Sequence, residues 1–431
     1  MVINSTRRKF LKKIGLYSSF IALSNLLVPR GLQSKVKAKP RVVIIGYGIG
    51  GATCLEYLAN YSNYMDIVLI EQNKKTQTCP LSNLVLSDII SYKRIVHEFD
   101  YKRFKNIKFV NSYVNKVVPS RKAVVLNNDT KLYYDYLILS PGVGFKNDIE
   151  GYNYKDKEIV PHCWDGSKNI IDFKRRLNDL ENNSTVIISS PDYPYRCPPA
   201  PYERACLLAN FLQRKKKKFK LLILDSKDSF TKKENFQNEW KNIYKGSIEW
   251  VSRSKGGQVV YYDKRKKYVK TNSGEIFKSD FINIIPNQRT SDLISKSELN
   301  SKDSWCSINP VTFELENFKN IFVVGDSINA WDMPKSAFSA NSQAKVLSLN
   351  LINRILNKPF LDPVFLNTCY SFSTSKRAFS ISSWYKLNKN KNKIVSLGSS
   401  SSALDYSEGD YLRETKEAYG WYDSLVKSIY Y

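Results

Sequence analysis

The residues of this chain best suited to redox chemistry are seven cysteines, at positions 54, 79, 163, 197, 206, 306 and 369. No two of them form a CxxC, there is no CxxCH, and only two histidines, His97 and His162, stand beside them. That pattern offers no metal-ligand cluster and no c-type haem attachment of the chain's own. In an oxidising compartment some of these thiols can pair, and spacing alone leaves the connectivity open. A second chemistry is written in Gly46-Tyr47-Gly48-Ile49-Gly50-Gly51. Gly46 suits a tight turn, Gly48 close approach of backbone to a pyrophosphate, and Gly51 close packing of a helix on a strand. Glu71 lies twenty residues past Gly51, where a carboxylate accepts hydrogen bonds from ribose hydroxyls. A bare GxGxxG is also what an ordinary glycine-rich turn looks like, so the elements around it decide.

Those elements are in register. The β-branched run Val42–Ile45 enters the glycines, a helix-compatible stretch covers 52–59, and a second apolar run, Ile67–Ile70, ends on Glu71. The result is a βαβ unit whose helix N-terminus faces the phosphates. Farther on, strands are expected at 107–110 and at 134–140, the latter running into Pro141-Gly142-Val143-Gly144. A second α/β unit follows: strand 185–189, helix 202–213 and strand 219–224. Its glycine loop is missing. Residues 190–203 (SPDYPYRCPPAPYE) carry five prolines and bulky tyrosines instead. Proline removes N–H donors and fixes φ, so this loop cannot cradle a pyrophosphate, and nicotinamide use is disfavoured. Residues 320–326 (NIFVVGD) read as a buried strand ending in Gly325-Asp326. A helix around 341–352 and a third section, 361–431, complete the chain.

At 431 residues, with 42% hydrophobic and 13% aromatic content, the chain is globular and long enough for two or three domains. Arg7-Arg8-Lys9-Phe10-Leu11-Lys12 before the modest apolar stretch 14–28 predicts a twin-arginine leader over residues 1–38, with Val36-Lys37-Ala38 as a cleavage site. An uncleaved anchor is the alternative. This route carries proteins already folded around a cofactor, so a soluble periplasmic protein is expected. The net charge of +27 falls to +19 without those residues. Its basic runs, such as RKKKK at 214–218, sit where a solvated connection belongs, so nucleic acid is not expected as a partner.

Together these stretches resemble the flavoprotein subunit of flavocytochrome c sulfide dehydrogenase, from about Arg41 to the C-terminus. The pieces that carry the resemblance are TCPLSNLVL (78–86), YRCPPAPYERA (195–205), ILDSKDSF (223–230), VVGDS (323–327), MPKSAFSANSQAK (333–345) and NTCYS (367–371). Ala200 and Ala337 stand where the family pattern has glycine. The resemblance implies an α/β fold of two Rossmann-like domains, glutathione reductase-like, plus a C-terminal α+β interface domain. The expected boundaries are 39–151 with 286–360 for the FAD-binding domain, 152–285 for the second domain and 361–431 for the third. It implies FAD attached covalently through Cys79, against a loop thiol beside a non-covalent flavin, and bound by Gly46, Gly48, Gly51, Glu71, Gly142, Gly325 and Asp326. It further implies that Cys197 and Cys369 form the redox disulfide next to the flavin, against a purely structural crosslink. Glu203 matches a glutamate that manages protons near that disulfide, but a carboxylate in a helix first turn is stabilised by the dipole in any case. Lys335 matches a cation favouring reduced flavin, against a solvated lysine. Trp421 packs either near the flavin or in ordinary core. Cys54 and Cys206 read as buried apolar thiols, and Cys163 and Cys306 carry no assignment.

The expected activity is sulfide oxidation, with a separate c-type cytochrome subunit as acceptor and partner in a heterodimer. A sulfide:quinone reductase is the nearest competing reading, and a non-catalytic flavoprotein acting in assembly is a third.

Overall fold

The computed structural model describes residues 38–156, 160–166, 169–300 and 304–431, so the expected leader lies outside the described residues apart from Ala38. Residues 40–431 form one compact unit. The first half supplies β1 (Arg41–Ile45), α1 (Ile49–Ala59), β2 (Asp66–Glu71), the short α2 (Ser82–Leu86), β3 (Lys108–Asn111) and β4 (Tyr136–Leu139). The middle supplies α3 (Ile170–Asn178), β5 (Ser184–Ser190), α4 (Ala200–Arg214), β6 (Phe219–Asp225), α5 (Lys233–Asn242), β7 (Ile248–Val251) and β8 (Phe281–Ile284). The chain then returns through β9 (Ile321–Val323) and α6 (Ala337–Ile355). It ends with β10 (Val364–Thr374), β11 (Arg377–Asn388), β12 (Lys393–Ser401) and α7 (Glu408–Tyr430).

Two parallel sheets follow from two kinds of apolar run. The first is ordered β9-β4-β1-β2-β3 and the second β7-β6-β5-β8. Val42, Val43 and Ile44 are all fully buried, as in a strand covered on both faces, which explains why β1 reads as a continuous apolar run without alternation. β9 is only three residues long, and it completes the first sheet by pairing with β4, about 180 residues earlier in the chain. The first sheet is therefore assembled from discontinuous parts of the chain.

The third section is an antiparallel sheet, β10-β11-β12, backed by α7. The Gly/Ser stretch near 398–402, which carries no element signal in the sequence, falls largely in β12. β12 is an edge strand with most of its residues exposed, so polar side chains there serve its outer face. α7 starts with a reciprocal capping box between Ser407 and Asp410. Its tyrosines then reach the first domain. The Tyr422 hydroxyl lies 2.8 Å from Thr78 Oγ1, and the Tyr430 hydroxyl donates to the Tyr47 carbonyl at 3.3 Å. α7 thus pins the loop that bears Cys79. Among the described residues no helix is long and apolar enough to cross a membrane, and no group of three or more His, Cys, Asp or Glu side chains is placed to hold a metal.

Candidate active site

The glycine loop forms a tight turn and a close helix–strand contact. Gly46 has φ +96°, and a Cβ there would meet the Ser140 carbonyl oxygen at 2.4 Å. A Cβ on Gly51 would lie 1.9 Å from the Gly46 carbonyl oxygen, so the start of α1 can approach β1 only with glycine. At Gly48, by contrast, a Cβ would meet no atom within 4 Å: this residue faces the cleft. The cleft, a cavity of about 400 Å³, is lined by Gly46, Gly48, Glu71, Ser140 and Gly142. Glu71 is oriented by backbone N–H groups, with Oε2 accepting from Tyr47 at 2.9 Å and Oε1 from Asn73 at 2.9 Å. Asp326 follows Gly325 just past β9. Its carboxylate is buried and its Oδ1 has no hydrogen-bond partner, a buried acceptor aimed for a hydroxyl that the protein does not itself supply. These features fit an FAD: a pyrophosphate cradle, an oriented carboxylate and an orphaned acceptor.

The equivalent place in the second domain is filled by protein. At the carboxyl ends of β5 and β6, where doubly wound sheets bind nucleotides, the buried Lys227 ammonium donates to Ser190 Oγ (2.7 Å), the Pro191 carbonyl (2.8 Å) and Asp225 Oδ1 (2.6 Å). Asp225 Oδ2 accepts from the Tyr202 hydroxyl at 2.6 Å and from Trp250 Nε1 at 2.8 Å. The rings of Tyr193, Tyr195 and Tyr202 surround the same ammonium at 4.8–5.6 Å. A nucleotide would have to break a fully satisfied buried network that is costly to leave unpaired. NADH is accordingly expected to show no saturable binding tighter than ~1 mM and no rapid bleaching of the flavin. Anaerobic titration followed at the flavin band checks this, and bleaching by micromolar NADH would contradict it.

A second, smaller cavity of about 70 Å³ collects the thiols: Cys79, Cys163, Cys197 and Cys369 all line it, with Glu203, Arg204 and Trp421. The two cavities adjoin, since Gln77, Gly166 and Arg196 line both. Four separate pieces of chain therefore deliver sulfur to one place. Cys79 comes from the loop before α2, Cys163 from the connection before α3, Cys197 from the proline-rich loop before α4, and Cys369 from β10. Cys163 (φ +50°) and Cys197 (φ +60°) both sit in left-handed backbone, a strained state for a residue with a side chain. The Cys197 N–H is tied to the Lys335 carbonyl at 2.7 Å, which fixes that turn.

All four are free thiols in this structure. Cys79 and Cys197 hydrogen-bond to each other, which lowers the pKa of Cys79 and raises that of Cys197; nearby Arg196 further favours the Cys79 anion. Burial raises Cys369, and the Lys232 ammonium opposes that rise. Glu203 is half-buried, and its desolvation pushes it above the ordinary carboxylate range, although Asn83 Nδ2 (2.7 Å to Oε2) and the Phe372 N–H (2.9 Å to Oε1) partly stabilise its anion. A carboxyl held this way takes up a proton more readily than an exposed one.

The structure separates the remaining sequence candidates. Lys335 is not solvated: it is buried, its ammonium donates to the Ile328 carbonyl at 2.6 Å and lies 3.5 Å from the centre of the Trp305 ring. Its side chain lines the small space beside Gly325 and Asp326. Trp421 packs on Phe338 and Tyr370 at the edge of the thiol cavity. Cys54 and Cys206 are buried, the latter accepting from Trp240 Nε1 at 3.3 Å, and Cys306 is buried beside Thr290.

Two residues of the site escaped the sequence reading. Cys163 stands in no recognisable spacing. Arg204 is 1% exposed, and its guanidinium joins Asn83 Oδ1 (3.0 Å), the carbonyls of His162 (2.7 Å) and Cys163 (3.1 Å) and Asn283 Oδ1 (2.7 Å) while lying over Trp164. Burial lowers it to about 10. The available signal was an arginine immediately before the apolar run ACLLA (205–209) of α4, where a buried charge needs partners.

Comparison with known families now bears on this arrangement. Residues 40–188 match the pyridine nucleotide-disulphide oxidoreductase model. Residues 171–286 match the central domain of the sulfide dehydrogenase (flavocytochrome c) flavoprotein chain, and residues 361–430 match the flavocytochrome c sulphide dehydrogenase flavin-binding domain. The chain is an FAD flavoprotein of the pyridine nucleotide-disulphide oxidoreductase superfamily. Within that superfamily the flavoprotein carries the domains of the flavocytochrome c sulfide dehydrogenase flavoprotein chain. It is also 25% identical over 340 residues to the mitochondrial sulfide:quinone oxidoreductase of Dictyostelium discoideum, covering 76% of this chain and 74% of that one. Its fold is similar to that of the sulfide:quinone oxidoreductase of Aquifex aeolicus, with a TM-score of 0.71 at 16% identity over 91% and 92% of the two chains. It is also similar to the covalent putidaredoxin reductase–putidaredoxin complex, with a TM-score of 0.60 at 15% identity over 82% of each chain. These structures share the two-domain α/β architecture described above.

Proposed function

We propose that this flavoprotein oxidises sulfide at Cys197 and Cys369 and passes the electrons singly to a c-type cytochrome subunit, in the periplasm after twin-arginine export. The observation that carries the reading is the convergence of Cys79, Cys197, Cys369 and Glu203 on one cavity that adjoins the dinucleotide cleft. In the oxidised enzyme HS⁻ attacks one sulfur of a Cys197–Cys369 disulfide. A new S–S bond forms as the old one breaks, giving a cysteine persulfide and a cysteine thiolate. A second HS⁻ takes the outer sulfur of the persulfide, RS–SH + HS⁻ → RS⁻ + HS–S⁻ + H⁺, and Glu203, half-buried at the cavity wall, takes up the proton. Bound FAD supplies a two-electron acceptor that can release electrons one at a time. Arg204 holds the Cys163 segment and Asn83 in place, and the Asp225–Lys227 network keeps nicotinamide out.

Mixing the purified holoprotein with sulfide and then with cytochrome c or a short-chain quinone tests the proposal. Sulfide is expected to bleach the flavin, and cytochrome c to reoxidise it faster than the quinone. The likeness to the Dictyostelium sulfide:quinone oxidoreductase favours a quinone acceptor as the second reading, and faster reoxidation by quinone would establish it. A flavin that sulfide leaves unbleached would instead fit an assembly role.

The reading includes FAD attachment through Cys79, whose thiol is both in the cavity and biased toward its anion. Wild-type protein is expected to stay yellow after acid denaturation, and Cys79→Ser to release its flavin under the same treatment. Intact mass under denaturing conditions reports the attachment directly, and a mass without FAD would contradict it.

A further inference from the structure

Among the described residues three lysines have buried side chains, and they are balanced differently. Lys227 is ion-paired to Asp225 at 2.6 Å, and Lys335 lies under the buried carboxylate of Asp326 and against the Trp305 ring. Lys232, at the left-handed N-terminal boundary of α5 (φ +63°), differs. Its ammonium donates to two neutral main-chain oxygens, those of Cys369 (3.1 Å) on β10 and Phe379 (3.2 Å) on β11, and lies over the Phe379 ring at 5.3 Å. Among the described residues no carboxylate is within ion-pair distance of it. An ammonium this deep is costly unless an anion compensates it. Its anchorage also fixes where that anion must be, since both carbonyls belong to the strand pair that presents Cys369 to the thiol cavity. The groups facing it are Cys369 on β10, Glu203 on α4, Cys197 in the preceding loop and Glu414 on α7; Cys369 in turn faces Cys79 and is reached by Asn367 and Ser336.

We propose that Lys232 is a positioning residue that holds negative charge on the Cys369 sulfur, so that opening the disulfide with sulfide leaves an anion paired with this ammonium. This deepens the functional reading above and rests on it for the step HS⁻ + RS–SR′ → RS–SH + R′S⁻, in which charge is conserved and no external oxidant is needed. The charge assignment itself concerns the reduced dithiol and can be read without sulfide. Burial pulls Lys232 down to about 8, so it remains mainly cationic at neutral pH. Above that pH the ammonium deprotonates and Cys369 loses its partner.

The test is alkylation of the chemically reduced holoprotein by iodoacetamide between acid and alkaline pH, with Cys369 modification read by peptide mass. Removing a buried opposite charge raises a thiol by about one unit or more, so K232M is expected to shift the Cys369 profile upward and slow its alkylation at neutral pH by ~10-fold. K232Q separates charge from anchorage, because its amide still donates to a carbonyl but carries no charge. It is expected to behave as K232M, whereas K232R is expected to stay near wild type. A wild-type Cys369 profile in folded K232Q, with flavin absorbance and melting temperature retained, would overturn the proposal, and it would do so even if K232M failed to fold. Conversely, if sulfide fails to bleach the wild-type flavin while K232Q still shifts Cys369, the sulfide reading falls and the charge assignment stands.

Discussion

Replacing Cys197 or Cys369 with serine is expected to slow sulfide-dependent bleaching of the flavin by at least ~10³-fold, with the double variant little worse than either single one. The reason is that the two sulfurs act as one unit: removing either leaves no S–S bond for HS⁻ to attack, and residues that work together are strongly non-additive. Flavin binding should persist in all three variants, because the Gly46–Glu71 unit, Cys79 and Asp326 are untouched. A crosslink of only structural importance has a different signature. Its loss would cost about 2–5 kcal/mol of stability, with sulfide reactivity surviving in the folded fraction. Stopped-flow bleaching paired with a thermal melt separates the two, and a folded Cys197→Ser protein bleaching at the wild-type rate would defeat the mechanism.

The largest stability effect is expected at Arg377. Its guanidinium forks onto the fully buried Glu239, Nε to Oε2 at 2.9 Å and Nη2 to Oε1 at 2.8 Å, and its Nη1 also donates to Glu408. Glu239 further accepts from Ser373 Oγ at 2.5 Å. This pair ties α5 to the turn between β10 and β11, and so sets the strand that carries Cys369. Arg377→Met strands a buried carboxylate and should destabilise the protein by about 3–5 kcal/mol, whereas a double variant with both side chains replaced by Met should cost less than either single one. Denaturant unfolding of the four proteins gives the coupling directly. Additive losses would show that the pair is not coupled as the geometry requires.

What was legible in the sequence was whatever physics writes locally. The packing at Gly51 and the carboxylate at Glu71 depend on neighbours within one βαβ unit, and the structure forms that unit where the sequence places it. The missing glycine loop of the second domain was legible as proline, but its replacement was not. Lys227 meets Ser190 and Pro191 only once β5 and β6 pair. The same holds for Lys232, whose partner on β10 is 137 residues away, and for Arg204, whose four acceptors come from three separate segments. Lys335 reads in the sequence as a cation favouring reduced flavin or as a solvated lysine, and only the fold shows it buried against Trp305. The β12 edge strand was hidden because serines and glycine carry little strand propensity, and its pairing with β11 is what makes it a strand.

The discontinuity of the first sheet has a consequence for biosynthesis. β9 takes its place beside β4 only after about 180 further residues have left the ribosome, which at ~5–20 residues per second is a wait of roughly 10–40 s. Throughout that interval the nascent chain exposes one unpaired flank of β4, and Gly325 and Asp326 have not yet been made. Cofactor loading is therefore a late event that follows translation of nearly the whole chain, and a chaperone that shields the β4 flank has a defined window in which to act.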